Sequence, residues 1–198
     1  MSHYFINDPN LKSDPRTFAF NYRNKKITFL SDAGVFSKNR VDFGTALLLN
    51  SLPEDLNNKK ILDVGCGYGA IGLSVAKVYP LAHIEMTDVN LRALELAKRN
   101  ALENGLKNVT IFASNLYENV ASRFDLIISN PPIRAGKDIV HGIVEGAKEH
   151  LNPEGELWVV IQKKQGAPSL LRKLETLFPD TIVFTKDKGY YIIRSRKL

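Results

Sequence analysis

From residue 60 onward the chain alternates short apolar runs with helical patterns, and this alternation limits the possible folds more than any other feature. The candidate strands are residues 61–64, 83–87, 109–113, 124–129 and 156–162, and the helical stretches are residues 70–78, 91–104 and 137–150. Strands that alternate with helices are joined by right-handed crossovers, which make them parallel in one sheet with helices on both faces. The pattern therefore predicts an α/β fold with a mostly parallel sheet.

The end of the chain departs from this alternation. After a predicted helix at residues 169–178, two apolar runs at residues 181–185 and 190–194 are separated only by residues 186–189. This connection is too short for a crossover, so the two runs must pair as an antiparallel hairpin. We therefore expect a parallel sheet that ends in an antiparallel C-terminal hairpin.

The first forty residues carry a different pattern. Apolar residues alternate with polar or small ones on either side of a polar break at residues 23–25, which predicts a β-hairpin. These apolar residues are Phe18, Phe20, Tyr22, Ile27 and Phe29. A helix is expected to begin near Asp42 and to end before Pro53. We expect an N-terminal hairpin appendage at residues 1–40 and one domain at residues 41–198.

Composition argues against several classes of protein. The 198 residues are 44% hydrophobic and 24% charged, as in a soluble globular protein, and no apolar run resembles a membrane span or a secretion signal. The expected location is therefore the cytoplasm. A single cysteine and four scattered histidines give neither a disulfide nor the spacing of metal ligands, so no metal is expected. The net charge of +6 permits a polyanionic partner such as RNA.

A glycine-rich loop, Gly65-Cys66-Gly67-Tyr68-Gly69, joins the first strand of the sheet to a helix. Its glycines let the backbone turn sharply and approach a ligand at the carboxyl end of the strand, where open α/β sheets bind ligands. The next strand ends at Asp88, where a carboxylate can accept both hydroxyl protons of a ribose. Together the loop and Asp88 predict a nucleoside site, although a glycine loop alone can be merely a tight turn.

A dinucleotide site is the alternative, because Gly65, Gly67 and Ala70 also fit the loose G-x-G-x-x-G/A fingerprint. Asp63 argues against it, since a carboxylate two residues before the first glycine would repel a pyrophosphate. The same carboxylate could order the loop or hold a positively charged ligand. The position of Asp63 therefore favours a positively charged nucleoside ligand over NAD.

The segment Asp63-Val64-Gly65-Cys66-Gly67-Tyr68-Gly69 resembles motif I of the class I S-adenosylmethionine-dependent methyltransferases, and the resemblance extends over about residues 41–198. It implies a Rossmann-like sheet of seven strands whose last strand is antiparallel. It also implies S-adenosyl-L-methionine as the cofactor. The cofactor's amino-acid end would lie on the loop, its ribose at Asp88 and Val89, and its adenine between residues after the third strand. The residues implied to bind the cofactor here are Asp63, Gly65, Cys66, Gly67, Gly69, Asp88, Val89, Asn115 and Leu116.

Asn130-Pro131-Pro132 follows the fourth strand and resembles the [DN]-P-P-[YFW] motif of amino methyltransferases. An exocyclic amine is a poor nucleophile because its lone pair is conjugated with the ring. The Asn130 side-chain oxygen and the Pro131 carbonyl could grip both N–H bonds and hold the lone pair toward a sulfonium methyl, so that positioning supplies much of the rate. The prolines stiffen the loop and aim its carbonyls. Ile133 stands where the family has an aromatic residue, and an aliphatic side chain can still cover a base.

The wider sequence is similar to the bacterial small-subunit ribosomal RNA guanine-N2 methyltransferases of the C type. The matching segments are residues 34–37, 42–45, 129–132 and 150–157. This resemblance implies that Phe36 closes over the cofactor and that Asn130 also contacts it. Arg134 and Lys137 lie next to the expected target pocket, where they could neutralise RNA phosphates. The longer members of the family carry a duplicated N-terminal domain.

The function expected from the sequence is therefore methylation of guanine N2 in small-subunit (16S) ribosomal RNA, with ribosomal RNA or the small subunit as partner. Methylation of a protein glutamine amide at N5 is an alternative, because the same clamp could hold that amide. An NAD-dependent oxidoreductase and a non-catalytic RNA-binding module are alternatives from other classes, and both leave Asn130-Pro131-Pro132 unexplained. The sequence predicts no oligomeric state.

Overall fold

The structure is a computed structural model that describes residues 12–198. Its strands are β1 (Arg16–Tyr22), β2 (Lys25–Ser31), β3 (Lys60–Val64), β4 (His83–Asp88), β5 (Val109–Ala113), β6 (Phe124–Ser129), β7 (Leu151–Gln162), β8 (Asp180–Asp187) and β9 (Tyr190–Arg196). Its α-helices are α1 (Phe43–Ser51), α2 (Ala70–Val78), α3 (Leu91–Glu103), α4 (Lys137–His150) and α5 (Ala167–Leu177). Within residues 12–198, no helix is long and apolar enough to cross a membrane.

Seven strands form one sheet in the order β5-β4-β3-β6-β7-β9-β8. The strands β3 to β7 pair in parallel, and β9 runs antiparallel to both of its neighbours, β7 and β8. This arrangement confirms the predicted α/β fold with an antiparallel C-terminal hairpin. The strand order reverses between β3 and β6, so the connections after these strands lead to α2 and α4 on opposite faces and leave a crevice of the kind where open sheets bind ligands.

The strand β7 begins at Leu151, five residues before the predicted start at residue 156. Phe124 pairs with Leu151 and Leu126 pairs with Glu156, so residues 152–155 bulge out of the ladder before pairing resumes. Pro153 and Gly155 in this segment read as a turn in the sequence. The sequence therefore located the regular part of the strand and missed the paired residue ahead of the bulge.

Two apolar clusters cover the two faces of the sheet. One contains the buried residues of α1, α2, α3 and the N-terminal hairpin, and the other contains those of α4 and α5. Tyr22, Ile27 and Phe29 of the hairpin are almost fully buried in the first cluster. The hairpin thus shares the core of the sheet, while the division into units at residues 1–40 and 41–198 stays a prediction. Residues 1–11 of the predicted appendage lie outside the described residues.

The outer edge of β2 is closed by side chains of α3 in place of another strand. Asn100, which is fully buried, accepts from the Leu30 N–H at 2.7 Å and donates to the carbonyls of Leu30 and Tyr68 at 2.9 and 3.0 Å. One helical turn later, Asn104 makes the same pair of bonds with Thr28. Because Tyr68 belongs to the glycine-rich loop, Asn100 also fastens that loop to the hairpin.

Replacing Asn100 with alanine is expected to lower the free energy of unfolding by about 2–4 kcal/mol, because three buried backbone groups lose their partner and a cavity remains. Urea denaturation followed by circular dichroism measures this loss. The matched control is Arg99→Ala on the exposed side of the same helix, which removes an ion pair with Glu103 worth about 0.5 kcal/mol or less. Equal stability of the two variants would show that the asparagine does not hold the strand.

Candidate active site

A cleft of about 620 Å³ opens at the carboxyl ends of the strands of the large sheet. It brings together most of the residues predicted for the site from distant parts of the sequence. The predicted residues that line it are Phe36, Gly65, Cys66, Gly67, Asp88, Val89, Asn115, Leu116, Asn130, Pro131, Pro132, Ile133 and Arg134. Asp63, Gly69 and Lys137 are not part of its wall. Asp63 lies buried beneath the loop, Gly69 caps α2, and Lys137 is exposed at the start of α4.

The glycine-rich loop adopts backbone conformations that side chains rarely take. Gly65, Gly67 and Gly69 have φ angles of 74°, 56° and 102°. An added Cβ at Gly65 or Gly67 would have no protein atom within 4 Å, so these two glycines serve the left-handed backbone and leave the cleft open above them. The N–H groups of Gly65 and Cys66 both donate to the Thr87 carbonyl, at 2.8 and 2.9 Å, which binds the loop to the end of β4.

Asp88 holds the loop as well as facing the cleft. Its Oδ2 accepts from the Gly67 N–H and its Oδ1 accepts from the Asn90 N–H, each at 2.8 Å. Burial raises the pKa of Asp88 above its ordinary value, and these backbone bonds oppose that shift. The Val89 backbone also donates to this carboxylate. A carboxylate offers about four lone-pair positions, so accepting capacity remains for a ribose hydroxyl group.

Asp63 is a buried carboxyl with one unsatisfied oxygen. Its Oδ2 accepts from the Gly72 N–H at 2.8 Å, whereas its Oδ1 is buried and has no hydrogen-bond partner in the described chain. Burial, with a smaller contribution from the charge of Asp88, raises the pKa of Asp63 to about 7. An orphaned carboxylate oxygen beneath the loop fits a positively charged ligand above it, as S-adenosylmethionine is, and does not fit a pyrophosphate.

The segment after β5 supplies the opposite wall of the cleft. Leu116 has a φ of 51°, and its side chain lies so close to Gly142 that a Cβ there would come within 2.4 Å of it. Gly142 on α4 therefore makes room for Leu116. The side chains of Val89 and Phe36 are 38% and 43% exposed, so the cleft has apolar surface available to cover a bound nucleoside.

Cys66 lies in this wall as an unreactive thiol. Burial and the nearby carboxyls of Asp63 and Asp88 raise its pKa well above its ordinary value, which keeps the sulfur protonated. No group of three or more His, Cys, Asp or Glu side chains among residues 12–198 could hold a metal ion.

Asn130 occupies the centre of the cleft, directly after β6. Its Nδ2 donates to the Thr45 hydroxyl at 2.9 Å, so the amide oxygen is turned away from that bond and is available as an acceptor. Thr45 is buried in the first turn of α1, where its N–H donates to the capping Asp42 side chain at 3.1 Å. The helix cap, Thr45 and Asn130 thus form one connected chain of hydrogen bonds.

Of the two proline carbonyls that follow Asn130, one accepts a hydrogen bond from a described residue and the other does not. The Pro132 carbonyl accepts from the Ala135 N–H at 2.8 Å and begins a 3-10 turn at Ile133–Ala135. The Pro131 carbonyl accepts no hydrogen bond from any described residue. The Asn130 oxygen and the Pro131 carbonyl, named here the acceptor fork, are therefore both left for a ligand with two N–H bonds.

Several residues of the cleft were not predicted from the sequence. They are Asp42, Thr45, Gln162, Gln165 and Tyr190. Asp42 ends the segment that the resemblance implied would close over the cofactor with Phe36, whereas no role in the site was predicted for Thr45. Gln162 and Tyr190 pair across β7 and β9, so only the register of the C-terminal hairpin brings them to the cleft.

Comparison with known proteins agrees with this geometry. The model of the methyltransferase small domain family matches residues 26–194. The uncharacterized protein YbxB of Bacillus subtilis is 54% identical over 198 residues, which covers 99% of this chain and 98% of that protein. Ribosomal RNA small subunit methyltransferase C of Haemophilus influenzae is 40% identical over 153 residues, which covers 75% of this chain and 46% of that protein.

Among solved structures, the 16S rRNA N2 methyltransferase RsmC of T. thermophilus, in complex with AdoMet and guanosine, superposes with a TM-score of 0.85 and 28% identity. The match covers 96% of this chain and 52% of that one. The chain thus spans about half the length of the ribosomal RNA methyltransferases that it matches.

The family match confirms the resemblance predicted from the glycine-rich loop, and with it the predicted cofactor. It also favours the methyltransferase over the two alternatives from other classes, the oxidoreductase and the non-catalytic RNA-binding module. The chain belongs to the methyltransferase small domain family and is a class I S-adenosylmethionine-dependent methyltransferase.

Proposed function

We propose that the enzyme methylates the exocyclic N2 amine of a guanine in small-subunit ribosomal RNA. The observation that carries this proposal is the acceptor fork, which combines a side-chain oxygen aimed by Thr45 with an unbonded proline carbonyl at the end of β6. An amine with two N–H bonds matches two such acceptors. The names of the ribosomal RNA methyltransferases to which the chain is similar support guanine N2 as that amine.

The reaction requires the protein to position a weak nucleophile. When bound, the cofactor supplies a methyl group on a positively charged sulfur, which leaves as a neutral thioether. The acceptor fork binds both N–H bonds of the amine, so the nitrogen lone pair is held toward the cleft and the nitrogen becomes more electron-rich. As the N–C bond forms and the C–S bond breaks, the amine gives up one proton, which passes through a fork oxygen to water. Positioning and hydrogen bonding supply the rate without a strong base.

Three parts of the cleft would hold the cofactor. The glycine-rich loop, with Asp63 beneath it, would lie under the ammonium group of the amino-acid end and near the positively charged sulfur, and Asp88 would bind the ribose hydroxyl groups. Ser114, Asn115 and Leu116 would enclose the adenine, with Phe36 covering the open side. The unsatisfied Asp63 oxygen and the remaining acceptor capacity of Asp88 support this orientation over its reverse.

The glutamine amide remains a second candidate, because its NH2 group also offers two N–H bonds to the fork. Incubation with labelled cofactor tests the two against each other, using small ribosomal subunits, naked 16S ribosomal RNA and a mixture of cell proteins as acceptors. Digestion of the RNA is expected to give labelled N2-methylguanosine. Label found only in protein, or in methyladenosine, would contradict the proposal.

Arg134 and Lys137 are expected to contribute to RNA affinity and not to cofactor affinity, because both are exposed near the outer end of the fork. Replacing either with alanine should weaken RNA binding several-fold and reduce the slope of log K against log salt by about one, as for the loss of one phosphate contact. Filter binding at several salt concentrations measures this slope. Lys107→Ala is the control, since Lys107 is exposed just before β5, at the amino end of an edge strand and away from the cleft at the carboxyl ends, and should leave the slope unchanged.

A further inference from the structure

Tyr190 is a cleft residue to which the proposed reaction assigns no task. It is the first residue of β9 and lines the cleft together with Asn130 and Pro131. Its ring is half-buried, and its hydroxyl has no hydrogen-bond partner within residues 12–198. A flat, partly exposed ring with a free polar tip is a surface on which a nucleobase can stack.

The ring of Tyr190 is held in one place by its neighbours. Phe43 lies with its ring centroid 5.6 Å away at an angle of 51°, and Lys188 places its ammonium 4.6 Å from the centroid of the Phe43 ring. An added Cβ at Gly44 would come within 2.6 Å of Tyr190 Cε1, so the ring occupies the space that the missing side chain leaves. Gly44 has no positive φ, so the backbone does not require glycine here, and the Tyr190 ring is the nearest atom group that a side chain would meet.

Tyr190 is also close to the acceptor fork. Gly44, which contacts the ring, is next in sequence to Thr45, whose hydroxyl accepts from Asn130 at 2.9 Å. Ile133, on the other side of the fork, packs against the apolar cluster of α4 and α5, whereas Tyr190 packs against the cluster of α1 to α3. The fork thus lies between an aliphatic wall on one side of the sheet and an aromatic wall on the other.

We propose that Tyr190 is the residue on which the target base stacks, so that the base enters between Tyr190 and Ile133 with its amine at the fork. This inference rests on the proposed function, because it assumes a nucleobase substrate. The aromatic residue that contacts the base would then lie on β9, 60 residues after Asn130 in the sequence. A motif around Asn130 could not reveal it.

The test compares Tyr190→Phe with Tyr190→Leu in steady-state kinetics on small ribosomal subunits at saturating cofactor. Stacking depends on the ring, so the phenylalanine variant should keep kcat/KM within about threefold, and the leucine variant should lose about ten- to hundredfold. The dissociation constant for S-adenosylmethionine, measured by calorimetry, should stay the same in both variants. Equal activity of the leucine variant and the natural enzyme, or a parallel loss of cofactor affinity, would overturn the inference.

Gly44→Ala provides an independent variant, because alanine suits a helix better than glycine and its closest clash is with the Tyr190 ring, with a milder contact to Asp42 Oδ1 at 3.2 Å. We expect it to lower kcat/KM in the natural enzyme by displacing the ring, and to have little further effect in the Tyr190→Leu background. Additive losses of kcat/KM in the double variant would contradict the inference that Gly44→Ala acts through the Tyr190 ring. If the natural enzyme itself forms no methylated guanosine, the proposed function fails; if it does and only the variants behave unexpectedly, the stacking role alone fails.

Discussion

Replacing Asn130 with alanine is expected to reduce kcat by about a thousandfold or more while the dissociation constant for S-adenosylmethionine changes by less than about threefold. The alanine variant removes the side-chain half of the acceptor fork, so the amine keeps one hydrogen bond and can rotate away from the reactive orientation. Single-turnover kinetics with labelled cofactor measure the rate, and calorimetry measures the affinity. A turnover rate within tenfold of that of the natural enzyme would refute the proposed role of the acceptor fork.

Thr45 variants test whether the reaction depends on the orientation of the Asn130 amide as well as on its presence. Thr45→Val keeps the shape of the side chain and removes the hydroxyl that accepts from Asn130 Nδ2, so the amide is free to turn. We expect an intermediate loss of kcat, on the order of tenfold, comparable to the loss of one net hydrogen bond. Thr45→Ser should restore most of the rate because it restores the hydroxyl. A purely structural role of Thr45 would instead lower the stability of both variants without this difference in rate.

Much of the fold could be predicted because its regular elements have clear patterns. The predicted bounds of α2, α4, β5 and β6 agree with the structure, since each is an apolar run or a helical apolar pattern with a clear change of composition or period at its ends. The bulge in β7 could not be predicted, because Pro153 and Gly155 have the same signature in a bulge as in a turn. What distinguishes the two is a pairing partner on β6.

The site was predictable where one motif on one loop carries the chemistry, and less so where several elements meet. The acceptor residues Asn130 and Pro131 were found because they follow a strand directly. Thr45 and Tyr190 were missed since they reach the fork from positions 85 and 60 residues away, through the packing of α1 and the register of β9. Asp63 was found from its place before the first glycine, but its depth beneath the loop became visible only in the structure.

We expect Asp63 to affect both the stability of the protein and its affinity for the cofactor. Since its pKa rises from 3.8 in the unfolded chain to about 7 in the folded one, the folded protein holds a proton that the unfolded chain releases between about pH 4 and 7. Stability from this group therefore falls as the pH rises through that window. The expected loss is about 2–3 kcal/mol between pH 5 and pH 8.

Asp63→Asn should remove this pH dependence and weaken cofactor binding at the same time. The asparagine oxygen can still accept from the Gly72 N–H, and no charge has to be buried, so the variant should gain stability over the natural protein as the pH rises from 5 to 8. A cationic ligand above an ionised Asp63 is stabilised by its charge, and we expect the variant to bind S-adenosylmethionine about ten- to hundredfold more weakly at pH 8. Urea denaturation of the free protein and calorimetry with the cofactor, each at pH 5 and pH 8, measure the two effects.

A gain in stability together with a loss of cofactor affinity in Asp63→Asn at pH 8 would identify a carboxylate that serves cofactor binding. Asp55→Asn is the matched control, because Asp55 is exposed and, among residues 12–198, its side chain bonds only to Asn57, so neither quantity should change by more than about 0.5 kcal/mol. A buried carboxyl that served only to order the loop would cost stability when replaced, and affinity would fall with it at every pH. If Asp63→Asn proves less stable than the natural protein at pH 8 by the same margin as at pH 5, the carboxylate is structural and the cationic end of the cofactor lies elsewhere in the cleft.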